Sequence, residues 1–286
     1  MNKQAAKVVQ DSRSEQPILV LGGTGKTGRR VAERLTKLGF PVRIGSRSGE
    51  LPFDWEDSNT WLSSLANVRA AYISFYPDLA VPGAADAIER FARMAVDHGV
   101  KRLVLLSGRG EEEAQLSEKA LQNSDADWTI VRASWFCQNF SESFLLDMVL
   151  GGEVALPVSD VKEPFIDADD IADVAVVALT GDDHIGQIYE LTGPRSITFA
   201  EATEAIAKAS GREVKYTYLT HEQFLSMLEQ QEVPEEYVAL LSYLFTQVLD
   251  GRNSHLADGV QCALGREPRD FADYAKIAAA TGVWEV

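Results

Sequence analysis

Three glycines, Gly22, Gly25 and Gly28, recur at every third position between an apolar run (residues 18–21) and a segment whose Val31, Leu35 and Leu38 fall at helical spacing. A strand that turns into a helix over so short a stretch, with glycine at those three points, has a restricted set of uses. One glycine makes the tight turn, one lets backbone approach a pyrophosphate, and one lets the helix pack close to the strand. The helix then offers phosphate its positive end. Gly25-Lys26-Thr27 looks like the close of a nucleoside-triphosphate loop, but that loop needs a glycine at position 20, where the chain has Val20. The spacing is that of a dinucleotide turn, with Gly22, Thr24, Gly25, Lys26, Thr27 and Gly28 as its contact residues.

Short runs rich in Val, Ile, Leu and aromatics follow at residues 41–46, 70–75, 102–107 and 128–132. Between the second and third of these, Ile88, Phe91 and Ala95 recur at helical spacing, and Gly99 reads as the helix stop. Strands alternating with helices imply an α/β fold, a Rossmann-type doubly wound parallel sheet with ligands at the carboxyl ends of its strands. Past residue 150 the rhythm loosens into a strand-like QIYEL (187–191) and helical patterns at 171–179, 199–210 and 236–250. The expected organisation is a flexible tail over 1–16, a dinucleotide-binding domain over 17–150, and a smaller, mostly helical substrate-side portion over 151–286, closing over the sheet edge on the same core. Asp170 is expected to cap the helix that begins near Ile171 rather than to act in catalysis.

The formal net charge of −16 (27 Lys+Arg against 43 Asp+Glu) repels phosphate backbones and argues against a nucleic-acid partner. No apolar run approaches the roughly 20 residues of a membrane span, and the N-terminal residues lack the apolar centre of a signal peptide. The expected setting is soluble and cytoplasmic. Two cysteines, Cys137 and Cys262, without metal-type spacing, fit a reducing compartment, and the four histidines (His98, His184, His221, His255) form no metal motif.

The end of the second strand decides which dinucleotide is held. An acid there, about 20 residues past the glycine turn, bonds a ribose 2′-hydroxyl; a cation accommodates a 2′-phosphate. This chain has Ser46-Arg47-Ser48, with no acid until Glu50, so Arg47 with its flanking serines points to NADP. Asp54 and Trp55 follow, where side chains border an adenine, although the tryptophan fits a core position equally well. Phe75 and Tyr76 close the third strand and Ser107 and Gly108 the fourth, on the ligand edge of such a sheet. Ser134, Trp135, Phe136 and Asn139 follow the fifth on the same edge.

The stretches LVLGGTGKTGRRV, FDW, VKRLVLLS, WTIVRASWFCQNF, PFIDADDIADVAVVAL, YELTGP with ITFAEA, and LGREPRDFADYA together resemble the NmrA-like branch of atypical short-chain dehydrogenases, over nearly the whole chain from residue 17. The Gly-Lys-Thr variant of the turn and the FDW are similar to the clavine dehydrogenases of ergot alkaloid biosynthesis. The resemblance implies an NADPH-dependent reductase, with ASWFCQNF bordering nicotinamide and substrate, so that Tyr76, Trp135, Phe136 and Asn139 form the acceptor pocket. The branch also holds regulatory proteins that bind dinucleotide without turning it over and act through a protein partner, which stands as the alternative.

Typical short-chain dehydrogenases protonate the forming alkoxide with a Tyr-x-x-x-Lys pair. None of the eight tyrosines here has lysine four residues later. On the helix after residue 107, Gln115 lies four residues before Lys119; if Lys119 occupies the lysine's place beside the dinucleotide, an amide stands where the phenol would be. Lys119 equally reads as an exposed helix lysine. Without that acid, the fitting acceptors are already electron-poor: an iminium, a quinone or a cationic aromatic small molecule, with catalysis by orientation and charge. No catalytic residue is assigned.

Overall fold

Ile18, Leu19, Val20 and Leu21 are fully buried, so β1 (Ile18–Leu21) has the continuous apolar character of a strand covered on both faces. The computed structural model describes residues 15–49 and 51–286; residues 1–14 of the expected tail, and Glu50, lie outside the described residues. β2 (Val42–Gly45) and β3 (Ala70–Ile73) flank β1 in parallel, in the registers Ile18↔Val42 and Ile18↔Ala70. β4 (Arg102–Gly108) pairs in parallel with β3, Ala70 opposite Arg102. With β5 (Asp127–Ala133) and β8 (Gln187–Leu191) the sheet order is β2-β1-β3-β4-β5-β8. The winding reverses between β1 and β3, which is where a doubly wound sheet opens its ligand crevice. The Rossmann-type expectation holds.

Helix α1 (Lys26–Lys37) buries Thr27, Gly28, Val31 and Leu35. Leu38, expected on the same stripe, lies past the last turn and is exposed. After a short 3-10 turn come α2 (Trp61–Leu65) and α3 (Ala84–Asp97), which buries Ala84, Ala87, Ile88, Phe91, Ala92 and Ala95 at helical spacing. Gly99, at φ +83°, ends α3 as expected, with the Val100 amide returning to the Ala95 carbonyl at 2.8 Å. The side chains of Leu19, Phe53, Trp61, Ile73, Phe91 and Leu103 share one core. Burying a ring such as that of Phe91 contributes about 1.5–3 kcal/mol.

The chain forms two compact units, and neither is continuous in sequence. The first runs to Gly108 and adds Glu112–Arg132 and Ile171–Tyr189; the second comprises Arg109–Glu111, Ala133–Asp170 and Glu190–Val286. The sequence break expected at 150 therefore falls inside the second unit. The reason is the pairing of QIYEL as the sixth strand, which, with most of α7 (Ala168–Thr180), returns the chain to the first unit. Arg34 of α1 meets Asp173 of α7 there at 2.6 Å.

The second unit holds two small sheets besides its helices. β6 (Glu153–Leu156) runs parallel to β10 (Lys215–Tyr218), and β7 (Lys162–Glu163) runs antiparallel to β9 (Ile197–Thr198). α8 (Phe199–Ser210) starts on a capping box of Thr198 and Glu201. The helical pattern expected over 236–250 is α10 (Glu235–Tyr243), after which the chain widens into a π turn over Leu244–Val248. Phe140, Phe165, Phe199, Phe245 and Phe271 form the aromatic core of this unit.

Asp170 departs from expectation. α7 begins at Ala168, so its cap is Asp167, whose Oδ1 accepts the Asp169 amide at 2.8 Å. Asp170, fully buried, accepts the Arg269 amide at 2.7 Å and pairs with the Arg266 and Arg269 side chains. It is a structural anchor for the segment before α12 (Phe271–Ala280).

Candidate active site

In the first unit the turn after β1 assigns its glycines distinct tasks. Gly22, at φ +66°, makes the turn, its amide on the Gly45 carbonyl at 3.1 Å; a Cβ there would also lie 3.1 Å from Ser74 Cβ, so the turn reaches the end of β3. A Cβ on Gly28 would fall 2.2 Å from the Gly22 carbonyl oxygen, so glycine is required for α1 to pack against the turn. Gly25 is exposed, and among the described residues the only atom within 4 Å of its missing Cβ is the Gly22 oxygen, at 3.2 Å.

Gly25 is also the N-cap of α1. It provides no side-chain cap, and the first turn carries no acidic residue. A 12-residue helix that starts on glycine and holds no acid in its first turn has the N-terminal end that suits an anion. Thr24 is exposed and Lys26 half-buried beside it. Thr27 points the other way: it is buried and its hydroxyl accepts from Tyr72 at 2.9 Å, which secures the turn from beneath. Burial raises the Tyr72 phenol above its ordinary range.

Arg47 is exposed past β2, between Ser46 and Ser48, and its guanidinium carbon lies 5.1 Å over the ring of Tyr76. Asp54 is used locally: its carboxylate accepts the Glu56 amide and its carbonyl accepts the Trp61 indole N–H at 2.7 Å. Trp55, which the sequence leaves between core and ligand, is half-buried on the core rings, 4.8 Å from Phe75 and 4.9 Å from Phe53.

α4 (Glu112–Gln122) turns a different face inward from the one a Tyr-x-x-x-Lys pair would use. Glu118 is buried, accepting from the Ser107 hydroxyl at 2.6 Å and Arg132 Nε at 2.9 Å. Ser107 is thereby committed within the protein, while Gly108 after it is half-buried. Gln115 is half-buried and Lys119 exposed.

In the second unit Ser134 is buried directly after β5, its amide on the Leu191 carbonyl at 3.0 Å. Trp135 is half-buried, its ring 5.1 Å from Phe245 and 5.7 Å from Phe199. Phe136 and Asn139 are half-buried beside it; Asn139 opens α5 (Asn139–Glu142) with its amide on the Phe136 carbonyl at 3.1 Å.

Two charged residues here are absent from the sequence-based assignment. Arg109 is only 4% exposed; its Nη1 donates to the Asn253 carbonyl at 2.7 Å and to Ser134 Oγ at 3.4 Å, and its Nε meets Glu190 Oε2 at 3.4 Å. Glu163 is 2% exposed, and its Oε1 accepts the Trp135 amide at 3.4 Å. Burial pushes its carboxyl up to about 7, against the opposing pull of the Trp135 amide, Arg109 and the Ser134 hydroxyl. The available signals were a basic residue between two glycines at a strand's carboxyl end and a lone acid ahead of PFID. Among the described residues no group of His, Cys, Asp and Glu is arranged to hold a metal, and no helix is long and apolar enough to cross a membrane.

Residues 114–275 match the NmrA-like family. Over 94% of the chain and 98% of its counterpart, the sequence is 32% identical to the uncharacterized oxidoreductase YesF of Bacillus subtilis. It is 31% identical to agroclavine dehydrogenase of Claviceps fusiformis, over 90% of the chain and 95% of that enzyme. Among solved structures it is similar to the NADPH-dependent quinone oxidoreductase QOR2 of Escherichia coli, with TM-score 0.76 and 21% identity over 91% of the chain and 99% of the other.

Proposed function

The chain belongs to the NmrA-like family, and from that premise we propose that it is an NADPH-dependent reductase acting on an acceptor that is already electron-poor: an iminium, a quinone or a cationic aromatic molecule. The observation that carries the reading is the uncapped N-terminus of α1 at Gly25 together with Arg47 at the end of β2. The first fits a pyrophosphate, the second a ribose 2′-phosphate, and both lie at carboxyl ends of adjacent strands. NADPH, when bound, supplies the hydride. The protein's residues do the rest. The α1 amides, with Thr24, Gly25 and Lys26, hold the pyrophosphate. Arg47, Ser46 and Ser48 hold the 2′-phosphate. Phe75 and Trp55 offer apolar surface to the adenine.

The acceptor class follows from α4. Reducing a ketone makes an alkoxide that needs an acid, and Gln115 supplies none; hydride addition to an iminium gives a neutral amine. The agroclavine dehydrogenase relative supports a nitrogen-containing acceptor, and the net charge of −16 favours a cationic one. Trp135 provides a flat surface for an aromatic acceptor. A cytoplasmic setting, with its NADPH supply, belongs to the same reading. Calorimetry of NADPH and NADH, followed by oxidation of bound NADPH with a panel of iminium compounds, quinones and cationic dyes, tests it. Preference for NADPH with turnover of at least one acceptor class is expected. Tight binding with no oxidation favours a dinucleotide-sensing role, and no binding removes the reading.

A further inference from the structure

In the second unit α9 (His221–Gln230) and α10 form a hairpin, closed where the Ser242 hydroxyl meets His221 Nε2 at 3.3 Å. Tyr237, Val238, Leu240, Leu241 and Tyr243 make α10 apolar on most sides, a composition that belongs to a buried helix, yet none of its nine residues is buried. Val238 and Leu241 pack against the aromatic core of the unit, which Phe245 joins from the π turn that follows. Tyr237, Leu240 and Leu244, at i, i+3 and i+7, line a second stripe that is half-buried and lies outside that core. Its surroundings are acidic. Glu229, Glu232, Glu235 and Glu236 are all exposed, and none of them forms an ion pair among the described residues. Glu236 stands one turn before Leu240 on the same side of α10. From residue 216 to residue 251 the chain has no Lys or Arg. The charge is unevenly shared as well: the second unit holds 24 of the 43 acids and 10 of the 27 bases.

An apolar surface rimmed by charge marks a binding face, and the sign of the rim selects what binds. A two-fold dimer through this face would set the four acids against their own copies, and an anionic bilayer or a nucleic acid would meet the same repulsion. The stripe is also short. Seven residues at the helical rise span about 10 Å, the length of a two- or three-ring molecule and too little for a stable protein interface. We propose that the α9–α10 hairpin docks a flat organic cation, its rings on Tyr237, Leu240 and Leu244 and its charge toward Glu232, Glu235 and Glu236. Phe245, next in the chain after Leu244, carries the ring 5.1 Å from Trp135, which ties the stripe to the surface proposed for the acceptor. Taking this cation to be the acceptor rests on the reductase reading and narrows it from quinones and cations to cations alone. The docking itself needs no dinucleotide.

The test is fluorescence titration of the full chain, without dinucleotide, with N-methylacridinium and with acridine at a mildly alkaline pH where acridine is neutral. The two probes share a shape and differ in charge. Wild type should bind the cation about tenfold tighter than acridine at low salt, with the preference shrinking as salt is added. Combined Glu232→Gln, Glu235→Gln and Glu236→Gln should remove most of that preference and leave acridine within about twofold of wild type. Combined Glu204→Gln, Glu213→Gln and Glu285→Gln, an equal loss of charge elsewhere in the same unit, should change either probe by less than about twofold. Leu240→Ser should weaken both probes by about tenfold. Equal binding of the two probes, equal losses in the two triple variants, or full affinity in Leu240→Ser overturns the docking face, whatever the protein does with NADPH. The cation is then mixed with NADPH-loaded protein. Oxidation with KM raised and kcat kept in the first triple variant supports its role as acceptor; docking as described without any NADPH oxidation, by this cation or by other acceptors, overturns the reductase reading and leaves the docking face standing.

Discussion

The guanidinium of Arg47 lies over the ring of Tyr76, 5.1 Å from carbon to centroid, and so joins the carboxyl end of β2 to that of β3 beside the glycine turn. The ring holds the cation at the crevice without neutralising it. Arg47→Ala should weaken NADPH binding by about 1.5–3 kcal/mol, the worth of charge-assisted bonds to phosphate, and leave NADH almost unchanged. Tyr76→Ala, which removes the platform and leaves the cation, should cost about 0.5–1 kcal/mol on NADPH. Calorimetry with both coenzymes checks this, and equal losses for the two would contradict it.

The glycines of the turn should separate by phenotype. Gly28→Ala places a Cβ against the Gly22 carbonyl oxygen at 2.2 Å and should lower stability by about 1–3 kcal/mol. Gly25→Val meets only that oxygen at 3.2 Å, so the protein should keep its melting temperature and lose dinucleotide binding. Thermal melts and NADPH titration distinguish the two. A Gly25→Val protein that binds NADPH at wild-type affinity would contradict the assigned path of the pyrophosphate.

Gln115→Ala and Lys119→Ala should each change iminium reduction by less than about tenfold, since neither removes a general acid. Trp135→Ala should cost more, because its ring, braced by Phe245 and Phe199, is the surface proposed to orient the acceptor, and small displacements are expensive in rate. Single-turnover rates with bound NADPH measure all three. Collapse of the rate in Lys119→Ala would place a proton path on α4 after all.

Glu163 makes stability depend on pH in a defined direction. Its folded carboxyl is raised to about 7 by burial, above the ordinary glutamate range, so the folded state binds the proton more tightly than the unfolded one. That contribution is complete below about pH 4.5, declines as pH rises, and is gone above about 7. Glu163→Gln should match wild type in stability near pH 4.5 and exceed it by up to about 3 kcal/mol at pH 8. Urea unfolding at the two pH values checks the sign, and a variant less stable at pH 8 would reverse it.

The sheet and its switch point were legible because buried parallel strands such as β1 and β3 read as unbroken apolar runs, and because the turn needs glycine at fixed points. The place of Arg47, exposed just past β2, was legible from its distance past that turn. The Arg109–Ser134 and Trp135–Glu163 contacts were not, since the ends of β4 and β5 and strand β7 bring these residues together only in the folded unit, and burial rather than residue type sets the behaviour of Glu163. The side-chain directions of Thr27 and Ser107 were hidden for a similar reason. Each lies in a segment that the sequence assigns to the ligand side, yet Tyr72 and Glu118 draw the two hydroxyls into the protein. Asp170 fits a cap by type, and its pairing with Arg266 and Arg269 is non-local.

The most direct test of the central claim is stopped-flow oxidation of enzyme-bound NADPH on mixing with an iminium acceptor and, separately, with a simple unactivated ketone. Rapid oxidation by the iminium, with a rate independent of enzyme ionisation near neutrality, and no measurable oxidation by the ketone, is the predicted result. Ketone reduction at a comparable rate would contradict it.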